Sequence, residues 1–257
     1  MEITINSFSE KGMNHNENED HVIYMQIRPY NDVNITIAVL CDGMGGMANG
    51  RLSAITAAES FMSAIVGRLI HHYDKNKHNF SILNYRDRII SSVMYSIKYA
   101  NTAVCEVATP GFGSGTTISA VVIADDFLVA SNVGDSPAYY YDSDSDKCML
   151  ISQIQNRAVE EADDISSEEY DENKKILTHY LGEYREISDN IIQIYTVEKI
   201  HKNDCILLMS DGASDICDSI DLKNVLTGPD PLNEVFSKIL SGTYSEDDKS
   251  IILMEIS

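Results

Sequence analysis

Five places in this sequence join a carboxylate to an apolar run. Asp42-Gly43 ends "IAVLC", Gly134-Asp135-Ser136 ends "LVASNV", Ser210-Asp211-Gly212 ends "CILLM", Asp247-Asp248 precedes "SIILMEI", and Asn18-Glu19-Asp20 precedes "HVIYMQI". Taken singly, an Asp-Gly pair is more often a turn than a ligand, because both residues tolerate the backbone angles that hairpins need. Taken together, the five carry a further implication. Apolar strands would bring these acids to the rim of a sandwich. If the rims coincide, the mutual repulsion of the carboxylates costs on the order of several kcal/mol unless cations lie among them. A donor set made of oxygen alone suits Mg2+ or Mn2+, whereas zinc prefers nitrogen and sulfur.

Other metal or phosphate motifs fail on spacing. "DSDSDKCMLISQ", residues 142–153, begins like a calcium loop, but Lys147 stands where that loop needs glycine and Gln153 where it needs a bidentate glutamate. It reads as a hairpin loop. "GFGSGTT", residues 111–117, lacks the Gly-Lys-Ser/Thr ending of a P-loop and is not a GxGxxG, so it reads as a close-packed turn leading into a strand. His71, His72 and His78 fall at and beyond the end of a helical stretch and read as solvated surface.

The elements that must position the acids are legible from periodicity. Runs rich in Val, Ile and Tyr at 21–28, 34–41, 116–124, 127–133, 137–142, 190–197, 205–210 and 250–256 predict strands. Most links between neighbours are short, which implies hairpins and hence largely antiparallel sheets, and so many strands predict two stacked sheets. Leu52, Ile55, Ala58, Met62, Ile65 and Leu69 recur at spacings of three and four, as do Ile90, Val93, Ile97, Ala100, Val104 and Val107. These predict two amphipathic helices lying side by side on one sheet face, with a helical piece at 232–240 covering the other. No internal repeat or linker divides the chain, so one domain over 1–257 is expected.

The formal charge is -21, from 40 acidic against 19 basic residues, which argues against nucleic acid or an anionic membrane as the main partner. Eight acids crowd residues 160–172, either a solvated surface segment or a flap beside a site. Five cysteines, odd in number, widely spaced and without a CxxC pair, suit reduced core thiols. No basic and apolar leader opens the chain, and no apolar run approaches the roughly 20 residues that cross a bilayer, so a cytoplasmic protein is expected; a monomer is expected as well.

In order, "NEDHV", "VLCDGMGG", "GSGTTISAVVI", "NVGDSPAYYY", "ILTHYLG", "CILLMSDGASD" and "EDDKSIIL" resemble the metal-dependent Ser/Thr protein phosphatases of the 2C type, in their bacterial form. The resemblance implies an α+β fold, a four-layer α-β-β-α sandwich of two mainly antiparallel sheets flanked by helices. It implies hydrolysis of phosphoserine and phosphothreonine in proteins phosphorylated by a Ser/Thr kinase system, by direct attack of a hydroxide bridging two Mn2+ or Mg2+ ions. Asp42 would bridge the metals, Gly43 would add its carbonyl to one, and Asp211 and Asp247 would complete the other. Glu19 and Asp20 would hold metal-bound waters. A third, weaker metal would rest on Asp135 and Asp211, with Asp215 assisting, and the acidic segment falls where the family carries its flap. The cysteines would not be nucleophiles, and none has the Cys-x5-Arg arrangement of thiol phosphatases.

Four positions depart from the family pattern. His15 stands where an arginine usually grips the substrate phosphate, and an imidazole cannot make the same bidentate contact. The expectation is phosphate binding that is weaker and pH-sensitive. Met44 replaces a histidine that serves some members as proton donor to the leaving group, while Pro137 and Asp248 replace a typical arginine and asparagine and are expected to bear on loop packing. Two rival readings stand beside the active phosphatase. One is a pseudophosphatase or phosphoprotein-binding module, favoured by His15 alone, and the other an acidic structural sandwich, which leaves the strand-end carboxylates unexplained.

Overall fold

The computed structural model describes all residues except 31–32, 45–48, 76–81, 108–113, 162–168, 218–221, 229–236 and 238–245. Two five-stranded sheets, antiparallel throughout, stack face to face. One has the order β1(Ile3–Glu10)-β10(Lys249–Ile256)-β9(Cys205–Met209)-β6(Ala138–Asp142)-β7(Lys147–Leu150), the other β2(His21–Tyr30)-β3(Val33–Cys41)-β4(Ile118–Ala124)-β5(Phe127–Val133)-β8(Gln193–Val197). Helices α1(Gly50–Lys75) and α2(Ile82–Val107) lie on the second sheet, while α5(Asp211–Cys217) and α6(Leu222–Leu226) cover the outer face of the first. Two further short helices, α3(Arg157–Glu160) and α4(Tyr170–Lys174), fall between β7 and β8. The expected four-layer α+β sandwich is observed.

Strand period two explains the layering. Along β3, Ile35, Ile37, Val39 and Cys41 face the helix pair, whereas Ala38 and Leu40 face the other sheet. Along β10, Ile252, Met254 and Ile256 point into the space between sheets and Ile251 and Leu253 point to the α5–α6 side. Three apolar layers result, so central strands are apolar on both faces and read as unbroken runs.

Several expectations need adjustment. β1 was not expected, because its "ITINSFSE" mixes polar and apolar residues; it is an edge strand whose pairing to β10 supplies its reason to form. β7 likewise emerges only from pairing with β6, where Asp142 opposite Lys147 closes the expected hairpin loop and the Asp142 carboxylate accepts bonds from the Asp144 and Ser145 amides. Residues 190–192 precede β8 as a turn rather than belonging to it. The apolar stripe of α1 runs through Ala54, Ala57, Ala58, Phe61, Met62, Ile65 and Leu69, so that Leu52 faces outward; the alanines let the helix approach the sheet closely. Over Gly50–Ile70 this helix is long and apolar enough to cross a bilayer, with mean hydropathy 1.2, contrary to expectation, yet that stripe is buried against the sheet. The helical piece expected at 232–240 lies outside the described residues apart from Ser237, as do His78 and the side chains of His71 and His72.

Candidate metal centre

Antiparallel pairing carries the strand-end acids to one rim. His21 pairs with Cys41, so Asp20, before β2, meets Asp42, after β3. Ile251 pairs with Met209, so Asp247 and Asp248, before β10, meet Asp211, just beyond β9. Stacking of the sheets then sets one pair against the other. The charge of Asp211 is felt by Asp20, Asp42 and Asp135 alike, and the carboxyls of Asp42 and Asp211 hydrogen-bond to each other.

The electrostatics follow from this crowding. Burial, and then the neighbouring Asp211 charge, push Asp20 up to about 8 and Asp135 also up to about 8. Asp42 is held well above the carboxylate range by burial, then by Asp211 and Asp20. Asp211 is raised by burial and by Asp247. Both carboxylate oxygens of Asp20 and Oε2 of Glu19 are buried without a hydrogen-bond partner. The Ser250 and Ser210 hydroxyls lie close to Asp20 and offset part of the rise in its pKa, while Ser210 Oγ also accepts from the Ser250 amide at 2.9 Å and Ser250 Oγ pairs with Ser9 Oγ at 2.8 Å. Orphaned buried oxygens are uncommon in folded proteins, and an all-oxygen donor set of this kind fits hard divalent cations.

The backbone around the acids is tightly fitted. Thr117 Oγ1 accepts from the Asp42 amide at 3.1 Å, and the Asp42 carbonyl accepts from Thr116 Oγ1 at 2.7 Å and the Thr117 amide at 2.9 Å. A Cβ on Gly43 would lie 2.5 Å from the Gly50 carbonyl oxygen and 2.7 Å from that of Glu19, so only glycine admits this approach. Asp211 opens α5, where its Oδ1 accepts from the Gly212 amide at 2.5 Å.

His15 and Asp248, two of the departures from the family pattern, are partners. His15 Nδ1 lies 2.9 Å from Asp248 Oδ2, and Nε2 is 3.7 Å from Asp247 Oδ1. The Asp248 carboxylate also accepts from the Gly12 and Glu19 amides, each at 2.7 Å, and so fixes both the His15 loop and the start of the Glu19-Asp20 pair. Burial alone would lower the His15 pKa, but the bond and charge of Asp248, with Asp247 and Glu19 beyond, raise it above its ordinary value. Next to Asp248, Lys249 is buried and paired with Glu10 at 3.0 Å, which locks β1 to β10 beside the site.

The structure thus brings together Glu19, Asp20, Asp42, Asp135, Asp211, Asp247 and His15. Asp215 stands one helical turn beyond Asp211 and pairs with Lys174. Sequence reasoning missed Asp248 as an organiser, and missed Asn156, whose Nδ2 approaches Asp135 Oδ2 at 3.5 Å while its Oδ1 caps α3. The second signal was weak: an asparagine three residues before a valine that no apolar period supports. Away from the rim, Asp142, His201 and Asp204 also cluster, but Asp204 accepts from the Tyr140 hydroxyl, from the Ser143 amide at 2.9 Å and from the His201 amide at 2.7 Å, and so ties loops together. A cleft of about 990 Å3 opens at the opposite rim, beside Ile3, Arg28, Asn34 and Asp125, and holds none of the five acidic sites.

The family described as protein phosphatase 2C matches residues 17–251. The chain belongs to this family of phosphoprotein phosphatases. It is similar to the serine/threonine phosphatase stp of Listeria innocua serovar 6a, 25% identical over 228 residues that span 85% of this chain and 84% of that one. In three dimensions it resembles the S. agalactiae serine/threonine phosphatase, with a TM-score of 0.76, 21% identity and full coverage of both chains. It also resembles the catalytic domain of the serine threonine protein phosphatase PstP in complex with two manganese ions, with a TM-score of 0.68, 21% identity and coverage of 99% and 98%. These likenesses carry the fold.

Proposed function

We propose that this chain is an active protein serine/threonine phosphatase that depends on divalent metal, Mn2+ or Mg2+. The observation that supports it most is the convergence of Asp20, Asp42, Asp135 and Asp211 on one rim, each raised by burial and by its neighbours' charge. Asp42, the Gly43 carbonyl, Asp211 and Asp247 would hold two cations, Glu19 and Asp20 would orient waters around them, and Asp135, Asp211 and Asp215 would hold a third. When bound, such cations acidify water near neutral pH and neutralise phosphoryl oxygens, which answers the repulsion between a dianionic ester and an anionic nucleophile.

The chain's own residues supply the rest. Rigid strand ends fix the carboxylates, and the clamp of Thr116 and Thr117 on the Asp42 backbone limits its drift. The bond from Asp248 holds His15 at the edge of the rim, where a protonated imidazole would offer one donor to a phosphate oxygen. Met44 cannot donate a proton, so water is the proposed donor to the leaving group. Buried thiols do not serve as nucleophiles: burial raises both Cys41 and Cys205, the latter to about 12.

The proposal includes a single catalytic domain over 1–257, supported by the pairing of β1 with β10, and a cytoplasmic monomer acting opposite a Ser/Thr kinase. Cys41, Cys105, Cys148 and Cys205 form no disulfide, in keeping with a reducing compartment. The test is hydrolysis of a small aryl phosphate and a phosphothreonine peptide with Mn2+, with Mg2+ and with chelator, alongside Asp211→Asn. Turnover that needs metal and is lost in the variant is expected. Absence of turnover in a folded, metal-binding protein would overturn the enzyme and leave a phosphoprotein-binding module.

A further inference from the structure

The last residue of α4, Lys174, reaches across to α5 and places Nζ 2.5 Å from Asp215 Oδ1. Asp215 follows Asp211 by one helical turn, so the two carboxylates share a face of α5. Its charge raises both Asp211 and Asp135, the two acids that would share the outermost cation. The segment carrying Lys174 is anchored there a second time: Leu177 bridges to Asn156, the Arg157 amide donates to the Ile176 carbonyl at 2.8 Å, and Asn156 reaches Asp135. Two segments bonded to each other therefore touch the outer acids, Asn156 at Asp135 with an amide and Lys174 at Asp215 with an ammonium.

We propose that Lys174 is a built-in competitor of the third divalent cation, its ammonium holding Asp215 whenever that outer position is not filled by metal. The inference rests on the reading of the rim as a metal centre, and goes beyond it by assigning the occupancy of its weakest position to a lysine just past the acidic segment. The physical case is charge. An ammonium beside Asp215 cancels the negative potential that would draw a divalent ion, and a divalent ion at Asp215 would repel the ammonium at similar range. Lys174 and Asp215 are both partly exposed, 29% and 53% at their side chains, so the competition is modest and reversible. Lys174 is a positioning residue: it acts through Asp215 and touches neither substrate nor the two inner cations.

Binding is reciprocal, so an ion in the outer position must loosen Lys174 as much as Lys174 weakens that ion. The experiment counts bound Mn2+ by the resonance of the free ion, in the full-length protein, for wild type, Lys174→Met and Lys174→Arg, with no substrate present. The two tighter ions should bind alike in all three. The third should bind about fivefold more tightly in K174M and as in wild type in K174R. In wild type, tryptic cleavage after Lys174 should quicken as Mn2+ rises through the third phase. A K174M isotherm that matches wild type beside intact binding of two ions overturns the competition alone. Wild-type protein that binds no Mn2+ overturns both this inference and the proposed function.

Discussion

Replacing Asp20 by asparagine stabilises the metal-free protein, by an amount that grows with pH. Asp20 is buried, with both oxygens unpartnered, and its carboxyl, ordinarily ionising at 3.8, keeps its proton up to about 8. Below 3.8 the folded and unfolded chains are both protonated, so Asp20 imposes no difference. Between 3.8 and 8 the unfolded chain releases a proton that the folded chain retains, and stability falls as pH rises through that window, levelling above it. At pH 7 the penalty reaches roughly 4 kcal/mol, taking about 1.4 kcal/mol per pH interval of one. That is an upper bound, because the share owed to Asp211 and Asp248 vanishes when those acids take up protons first. About half of it, roughly 2 kcal/mol, should be recovered by an uncharged isostere, raising Tm by about 4 to 8 °C for a chain of this size. The assay is thermal unfolding of D20N and wild type in chelator at several pH values between 4.5 and 8. The gain should be close to zero at the acid end and largest at pH 8, and added Mn2+ should stabilise wild type more than the variant. A gain of equal size at every pH, or a loss at pH 8, would refute the argument from crowded carboxylates.

Gly43→Ala should cut turnover by about a hundredfold, because its methyl would collide with the Gly50 and Glu19 carbonyls and displace both the Asp42 turn and the Glu19-Asp20 pair; steady-state kinetics at saturating Mn2+ reads this out. The His15 ring is held above its ordinary pKa, so its positive charge is lost as pH rises through that raised value and KM should rise with it. His15→Arg should lower KM and flatten this dependence, whereas an unchanged KM and pH profile would remove His15 from phosphate binding.

Much of this was written in local pattern. Alternating and continuous apolar runs specify strands, spacings of three and four specify helices, and Asp beside Gly marks the strand ends, all within about ten residues of chain. The five acidic sites were visible for that reason, and so was the class of metal their oxygens would suit. The rest needed contacts between distant segments. β1 has no strong period of its own and forms because β10 offers it a partner from the far end of the chain. The α1 stripe passes through alanines rather than Leu52 because the sheet, not the helix, decides which face is buried. His15 and Asp248, 233 residues apart, look in sequence like two unrelated departures and are in space one hydrogen-bonded pair. Lys174 carries no motif, and only the tertiary fold, which brings the end of α4 to α5, sets it on Asp215. Sequence by itself determined the central strands, the two long helices and the acids at the strand tips, because those are local choices of backbone and solvent. Which rim the acids share, and which charges stand among them, was decided by strand register and sheet stacking, which are properties of the packed core.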